Sequence, residues 1–322
     1  MSSDVISVLV KTLLVASLYS ATAEESPLFK EGPFAIEIRL SDHAVQSLRT
    51  HPRRSVSANI TISGKTWREI PVRLKGSGTF QNIDEKPSLT VDFPEGQIHL
   101  NNSADDPSAL NEFIGAYLAT RADIPTTRVN HCVLTLNSRR LGLYVVKEGF
   151  SGTAELNDTN PTWDDLEKSL DLQDFSAFVA FEVMICHWDG YSLRRNNFNA
   201  SRDKKTGRLK FQPAGMDQLF AKPDYPWQPN MTGPYARLLM ESPQGRALYE
   251  EQFRRMFKNI YHSNEIKAQV DERSKQLAPL LTASEFAHFQ AERDDLLGRI
   301  QARETFLRRH LTINEATNHN PK

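Results

Sequence analysis

Between His187 and Phe220 the chain concentrates residues that can handle a cation and a phosphate. The stretch reads His187-Trp-Asp-Gly-Tyr191, then Asn196-Asn197, a basic turn, and Leu209-Lys-Phe-Gln-Pro-Ala-Gly-Met-Asp217. Asp189, Asn196 and Asn197 stand before one short strand-like run, and Asp217 follows a second. Two carboxylates and an amide brought together this way are hard oxygen donors, suited to a divalent cation and the phosphates it bridges. There is no Ser-His-Asp or Cys-His nucleophile signature beside them.

Other residues fit the same chemistry. Lys75-Gly76-Ser77-Gly78 directly follows a strand-like run. The backbone N–H groups of such a turn can cradle phosphates while Lys75 or Lys86 supplies a point charge. Glu112, on a predicted helix, is placed to hold such a lysine as an ion pair, and Lys147-Glu148 falls where a hinge would pass the base of a nucleotide. Each has an ordinary alternative: an Asx-turn carboxylate, a solvated lysine, an exposed helix glutamate, a charged strand end. His187, at the end of an apolar helix, reads better as a packed hydrogen-bonding residue than as a catalyst. Trp227, in Lys222-Pro-Asp-Tyr-Pro-Trp-Gln-Pro229, is either a pocket wall or part of a packed structural loop.

The elements that must position these groups follow from periodicity. Alternating apolar residues predict strands at Phe34–Leu40, Val56–Ile62, Ile70–Leu74 and Leu89–Phe93, with a hairpin turn at Ser63-Gly64-Lys65. Helical spacing over Ser108–Ala122 predicts a helix capped by Asp105, Asp106 or Ser108. Two more strands, Cys132–Leu136 and Leu141–Val146, precede a polar link. Phe175–Cys186 is apolar on every side, as a buried helix would be. From Ala236 to Leu311 the pattern is charged and helical. The order of strands, Gly turn, strand, helix, two strands, buried helix, polar loop, two strands and helices is nearly that of a two-lobed phosphotransferase.

Length and composition bound the rest. With 322 residues, 39% hydrophobic and 25% charged, the chain can bury one sizeable core, divided into two lobes or not. A net charge of -1 offers no bulk attraction to nucleic acid, so nucleic acid is not an expected partner. Lys11, the apolar run Thr12–Tyr19 and Ala21-Thr-Ala23 have the layout of a secretory leader, and the run is too short for a stable membrane span. Cys132 and Cys186, the two cysteines, are either one bridge or two buried thiols. The expected organisation is a signal peptide over 1–23, a strand-rich part over 24–150, a catalytic core over 151–235, a helical subdomain over 236–312 and a disordered tail over 313–322.

Taken together, Val72-Arg-Leu-Lys-Gly-Ser-Gly-Thr-Phe80 with Lys86-Pro-Ser-Leu89, Leu141-Gly-Leu-Tyr-Val-Val-Lys-Glu148, His187-Trp-Asp-Gly-Tyr191 with Asn196-Asn197, and Phe211-Gln-Pro-Ala-Gly-Met-Asp217 resemble the spore coat protein H (CotH) kinase family over roughly residues 70 to 222. The resemblance implies an α+β, two-lobed, atypical protein kinase-like fold with a strand-rich N-lobe and a helical C-lobe. It further implies an extracytoplasmic enzyme, secreted or periplasmic, that uses ATP with Mg²⁺ or Mn²⁺ to phosphorylate Ser or Thr of an exported protein substrate. Asp189 is then similar to the catalytic base, Asp217 with Asn196 or Asn197 to the metal ligands, and Lys75 or Lys86 to the phosphate-binding lysine. Gly76, Gly78, Glu112 and Glu148 are the further candidates for a nucleotide site. Many family members carry Pro-Trp-Asp-x-Asp where this chain has Pro213-Ala-Gly-Met-Asp217. Gly215 therefore supports the alternative of a catalytically silent CotH-like surface or coat scaffold. A third alternative is a metal-dependent hydrolase using His187, Asp189 and Asp217, which requires further ligands.

Overall fold

The computed structural model describes residues 27–30, 32–150, 154–156 and 158–318. The expected leader, residues 1–23, lies outside the described residues. Residues Met1–Glu31 form a unit of their own, of which the helix α1, Pro27–Lys30, is described. Gly32–Lys322 form the second unit, an α+β assembly that begins with a closed barrel and continues into helices.

Seven strands make the barrel: β1 Phe34–Leu40, β2 Val56–Ile62, β3 Lys65–Lys75, β4 Ser88–Phe93, β5 Gly96–Asn101, β6 Val129–Leu136 and β7 Arg139–Glu148, in the order β1-β2-β3-β4-β5-β7-β6. Alternation aims Ile36, Ile38, Ile60, Val72, Leu74, Leu89, Val91 and Leu100 into a common interior, where all are buried. Neighbouring strands are antiparallel except β1 and β6, whose parallel pairing closes the ring and removes the free edges. Two-residue turns at Ser63-Gly64 and Asn137-Ser138 have positive φ at both positions, which matches the twist of antiparallel hairpins. Two elements here go beyond the expected set. Helix α2, Asp42–Thr50, starts on a Ser41 cap, and β5 carries only Ile98 and Leu100 as apolar inward residues, too few to register as a strand by pattern.

Between β5 and β6 lies helix α3, Asn111–Arg121. Its start is capped from the preceding loop: Asp106 Oδ2 accepts the Asn111 N–H at 2.9 Å and Ser108 Oγ the Leu110 N–H at 3.1 Å. Beyond the barrel come α4 Trp163–Ser169 directly after the expected polar link, α5 Leu172–Met184, the single turn α6 Tyr191–Arg194, the two-stranded ribbon β8 Phe198–Arg202 with β9 Leu209–Pro213, and the helices α7 Pro234–Glu241, α8 Pro243–Ile260, α9 Ser263–Leu277 and α10 Ala283–Asn318. Helix α10 runs on into the stretch expected as a disordered tail, and residues 319–322 lie outside the described residues. The core of this part is aromatic: the Phe211 ring lies 4.7 Å from Tyr191, 5.0 Å from Phe175 and 5.4 Å from Phe178. Cys132 and Cys186 are both free and buried. Trp227 is buried against Phe253, with its carbonyl bound by the Tyr249 hydroxyl, so the structural reading of its loop holds.

Arg303 of α10 ties these elements together. It is fully buried and donates to the carbonyls of Val183 and Met184 at the end of α5, and to those of Pro223 and Tyr225 in the loop after Asp217. Carbonyls at a helix C-terminus lack the usual intrahelical donors; the Val183 carbonyl also accepts the Cys186 N–H, and for those of Met184, Pro223 and Tyr225 this guanidinium is the donor. Arg303→Met should cost about 3 kcal/mol of unfolding free energy by denaturant titration, with buried acceptors left unpaired; a loss under about 0.5 kcal/mol would show that these bonds do not hold α10 in place.

Candidate active site

A cleft of about 540 Å³ opens between the barrel and the helical part. Its lining includes Lys75, Gly76, Gly78, Glu112, Glu148, Asp189, Asn196, Asn197 and Asp217, so all but one of the residues expected in a kinase-like nucleotide and metal site meet in one place. The exception is Lys86. Its ammonium sits 5.2 Å over the Tyr144 ring, and its carbonyl accepts Asn102 Nδ2 at 2.8 Å. Lys86 packs on the barrel and is not in the cleft, which corrects its reading as a phosphate lysine.

The Asp189 loop is held from beneath by a carboxylate. Glu182 is the single charged residue in the last two turns of the apolar helix α5 and is fully buried. Its oxygens accept the N–H groups of Tyr191 at 3.1 Å and Ser192 at 2.8 Å, and its Oε1 lies 3.4 Å from His187 Nδ1. A Cβ on residue 190 would overlap Glu182 and His187, so Gly190 is what allows the carboxylate to reach the loop. A second buried acid, Asp158, accepts the Tyr191 hydroxyl at 3.0 Å and the Arg195 guanidinium at 2.6 Å. These bonds hold Arg195 and Asn197 in the left-handed region, at φ +52° and +41°, where non-glycine residues carry about 1 kcal/mol or more of strain. Asn196 Nδ2 and Asn197 Nδ2 then both donate to Asp189 Oδ2, each at 2.8 Å, leaving Oδ1 for another partner.

His187 is buried, with Nε2 3.3 Å from the Gly215 carbonyl. It links the Asp189 loop to the turn after β9 and does not line the cleft, as the packed reading expects. Gly215 has φ +56°, and a Cβ there would lie 2.6 Å from the Asn197 carboxamide carbon. The place of any side chain at 215 is thus taken by Asn197.

Asp217 is set by helix α3. Asn111 Nδ2 donates to the Asp217 carbonyl at 3.2 Å, and one turn on, a Cβ at Gly115 would lie 2.7 Å from Met216 Sδ. The next residue on that helix, Glu112, takes Lys147 Nζ at 2.5 Å in a nearly buried ion pair. The expected partner on Glu112 was Lys75 or Lys86. Lys75 lies nearby, with Nζ 2.8 Å from Asn101 Oδ1. Glu148 is turned to Arg128 at 2.7 Å, on the cleft margin.

Acids crowd the cleft. Burial first, then the charge of Glu112, pushes the Asp217 carboxyl up to about 6. Burial also lifts Asp106 to about 6, with Asp217 and Glu112 adding to the shift. The cations respond to the same surroundings. Burial and the charge of Lys147 bring Lys75 down to about 8, against the pull of Glu112 and Asp217. Burial together with Lys75 and Lys147 brings His99 down to about 3, so its imidazole is neutral. Glu112 Oε2 is buried without a hydrogen-bond partner. Hard oxygen donors with an unfilled acceptor and raised carboxyls suit a divalent cation, which would relieve their repulsion. Among the described residues no group of three His, Cys, Asp or Glu side chains is placed to hold a metal, so phosphate or water oxygens would have to complete its shell.

Sequence reasoning missed Lys147 as the ion-pair partner, and missed Glu182, Asp158, Asn101 and His99 altogether. Glu182 left a legible sign, a lone acid in the run Phe175-Ser-Ala-Phe-Val-Ala-Phe-Glu-Val-Met-Ile-Cys186. The others have none, because their partners are distant in sequence.

A family model described as CotH kinase protein matches residues 150–309, which hold the Asp189 loop, the Asp217 turn and most of the closing helices. Among solved structures, the Helicobacter pylori proinflammatory kinase CtkA aligns over 68% of this chain and 93% of its own, at 7% identity and a TM-score of 0.37. No curated protein sequence matches the chain significantly.

Competitive amine labelling across pH should give Lys75 a reactivity midpoint near 8 against the ordinary lysine value of 10.5. A depressed lysine is charged below its midpoint and neutral above it, so Lys75 should acylate at neutral pH ahead of exposed lysines. A midpoint near 10 would mean that the ammonium is not buried beside Lys147.

Proposed function

We propose that this chain, whose residues 150–309 match the CotH kinase protein family, is an ATP-dependent protein kinase acting on Ser or Thr of exported proteins. The observation that carries the reading is the meeting of Asp189 and Asp217 in one cleft with lysine ammonium groups across from them. In this reading the barrel with α3 is the N-lobe and the helical part with its ribbon is the C-lobe. The order of a Gly turn between strands, a glutamate-bearing helix, a hairpin, an Asp and Asn loop and a strand ending in Asp is that of protein kinases.

Phosphoryl transfer asks for position and charge neutralisation more than for covalent chemistry. The acceptor hydroxyl gives its proton to Asp189 Oδ1, since Oδ2 is occupied by the two asparagine amides. Its oxygen attacks the γ-phosphorus, a new P–O bond forms, the bond to the β-phosphate breaks, and ADP leaves. The two asparagines keep Asp189 aimed while their own Oδ1 atoms stay available. Asp217 with Asn196 or Asn197 would hold Mg²⁺ or Mn²⁺, whose charge offsets that of the phosphates. The turn Lys75–Thr79 covers the other side of the cleft. Gly76 sits at φ +108°, where a Cβ would lie 3.2 Å from the Phe80 backbone, so the turn needs a glycine there.

The scaffold alternative turns on Gly215. With Asn197 seated over it, the position is filled by an amide that bonds Asp189, an arrangement that favours an active site over a decayed one. The hydrolase alternative needs His187 in the cleft, and His187 is packed beneath it. The export reading is supported by the leader-like sequence of residues 1–23 and is compatible with the absence, among the described residues, of any helix long and apolar enough to cross a membrane.

Phosphate incorporation from γ-labelled ATP with Mg²⁺ or Mn²⁺, into the protein itself and into a Ser-rich acceptor, should fall about a hundredfold or more in Asp189→Asn and in Asp217→Asn with folding intact. Wild type showing neither incorporation nor metal-dependent ATP binding would sink the kinase reading. Gly215→Ala is expected to displace Asn197 from Asp189 and lower turnover about tenfold or more at little change in ATP affinity; turnover equal to wild type would show that the Asn197 bond does not position the base.

A further inference from the structure

The cleft face of the barrel carries its charges in two adjacent rows. Residues directly opposite on paired strands point to the same side. One row therefore runs Arg73, Thr90, His99, Lys147 across β3, β4, β5 and β7. The row beside it includes Lys75 with Ser88, and Asn101 with Val145.

In protein kinases at large, the lysine that meets the nucleotide phosphates lies on the strand leading into the glutamate-bearing helix and pairs with that glutamate. Here that strand is β5, and its residue in the row is His99, a cleft-lining side chain whose Nδ1 is 3.2 Å from the Thr90 hydroxyl. The glutamate nevertheless has a lysine partner. Glu112 takes Lys147 at 2.5 Å, and Lys147 stands across the ladder from His99 on the neighbouring strand.

We propose that the phosphate lysine has moved over by one strand: Lys147, clamped by Glu112, is the fixed charge that meets the nucleotide, and His99 fills the place it vacated. The proposal rests on the kinase reading and deepens it by separating Lys147 from Lys75. Helix α3 holds Lys147 through Glu112 and the Asp217 segment through Asn111, adjacent residues, so the lysine and the metal-binding carboxylate are fixed to one rigid element. Lys75 comes from β3 and rests on the neutral amide of Asn101. Among the described residues no carboxylate is bound to it, and burial beside Lys147 discharges it near pH 8. Lys147 keeps a buried counterion.

The test is Mg·ATP binding by calorimetry to the full chain, with KM for ATP alongside and folding checked by denaturant melts. Lys147→Met should weaken binding about tenfold or more, as expected for a lost charge-assisted contact, and Lys75→Met should weaken it by less. Returning the lysine to the neighbouring strand, in His99→Lys with Lys147→Met, should recover most of the affinity. Because Lys147→Met leaves Glu112 buried and alone, Glu112→Gln with Lys147→Met keeps the experiment valid if the single variant unfolds, and it too should bind weakly. Wild-type affinity in a folded Lys147 variant, a greater loss in Lys75→Met than in Lys147→Met, or no recovery on moving the lysine would each overturn the assignment. Wild type that binds no Mg·ATP would instead remove the kinase reading itself.

Discussion

A carboxylate buried in an apolar helix is the constraint from which the geometry of this cleft follows. Glu182 cannot sit in the core of the helical part unless something pays for its desolvation, and the N–H groups of Tyr191 and Ser192 do so. The Asp189 loop is thereby tied to α5, with Gly190 needed for the close approach. Asp158 repeats the device from the other side through Tyr191 and Arg195. With both ends of the turn fixed in this way, Arg195 and Asn197 are kept in backbone conformations they would not choose alone, and the two asparagine amides converge on one oxygen of Asp189. The loop is preorganised by bonds that lie beneath it.

Helix α3 plays the corresponding part on the opposite wall. Three successive features of one short helix act in different directions: Asn111 on the Asp217 carbonyl, Glu112 on Lys147, and Gly115 against Met216. Any displacement of this helix would move a cation and a carboxylate of the cleft together. The cleft is also electrostatically tense. Carboxyls raised to about 6 and a lysine lowered to about 8 are groups whose charges are not fully compensated by protein alone. That is the state expected of a site completed by a charged ligand.

Much of the fold was legible. The strands Phe34–Leu40 and Val56–Ile62 begin and end where alternation places them, and the apolar run at Phe175 is indeed a helix buried on every side. Strand β5 and helices α2 and α4 were not legible. β5 has two inward apolar residues, α2 packs through little more than Ala44 and Leu48, and α4 buries only Leu166. Such elements are held by neighbours and caps more than by their own pattern. Of the candidate site residues, Lys86 was misplaced because a lysine near a glycine turn looks the same in sequence whether its ammonium faces the cleft or an aromatic ring.

The sequence alone determined which chemistry the chain has to offer: carboxylates, amides, lysines and a glycine turn in an order that brings them to one cleft, and no nucleophilic triad. Residue type and near-neighbour spacing are local properties, and they suffice for that. Tertiary structure decided which lysine answers Glu112, why Gly215 must be bare, and where His187 points. Those outcomes depend on ladder register between β5 and β7 and on contacts such as Glu182 with Gly190 and Asn197 with Gly215. A one-residue change of register would turn Lys147 away from the cleft, and nothing in the local pattern of β7 specifies which partner strand will set that register.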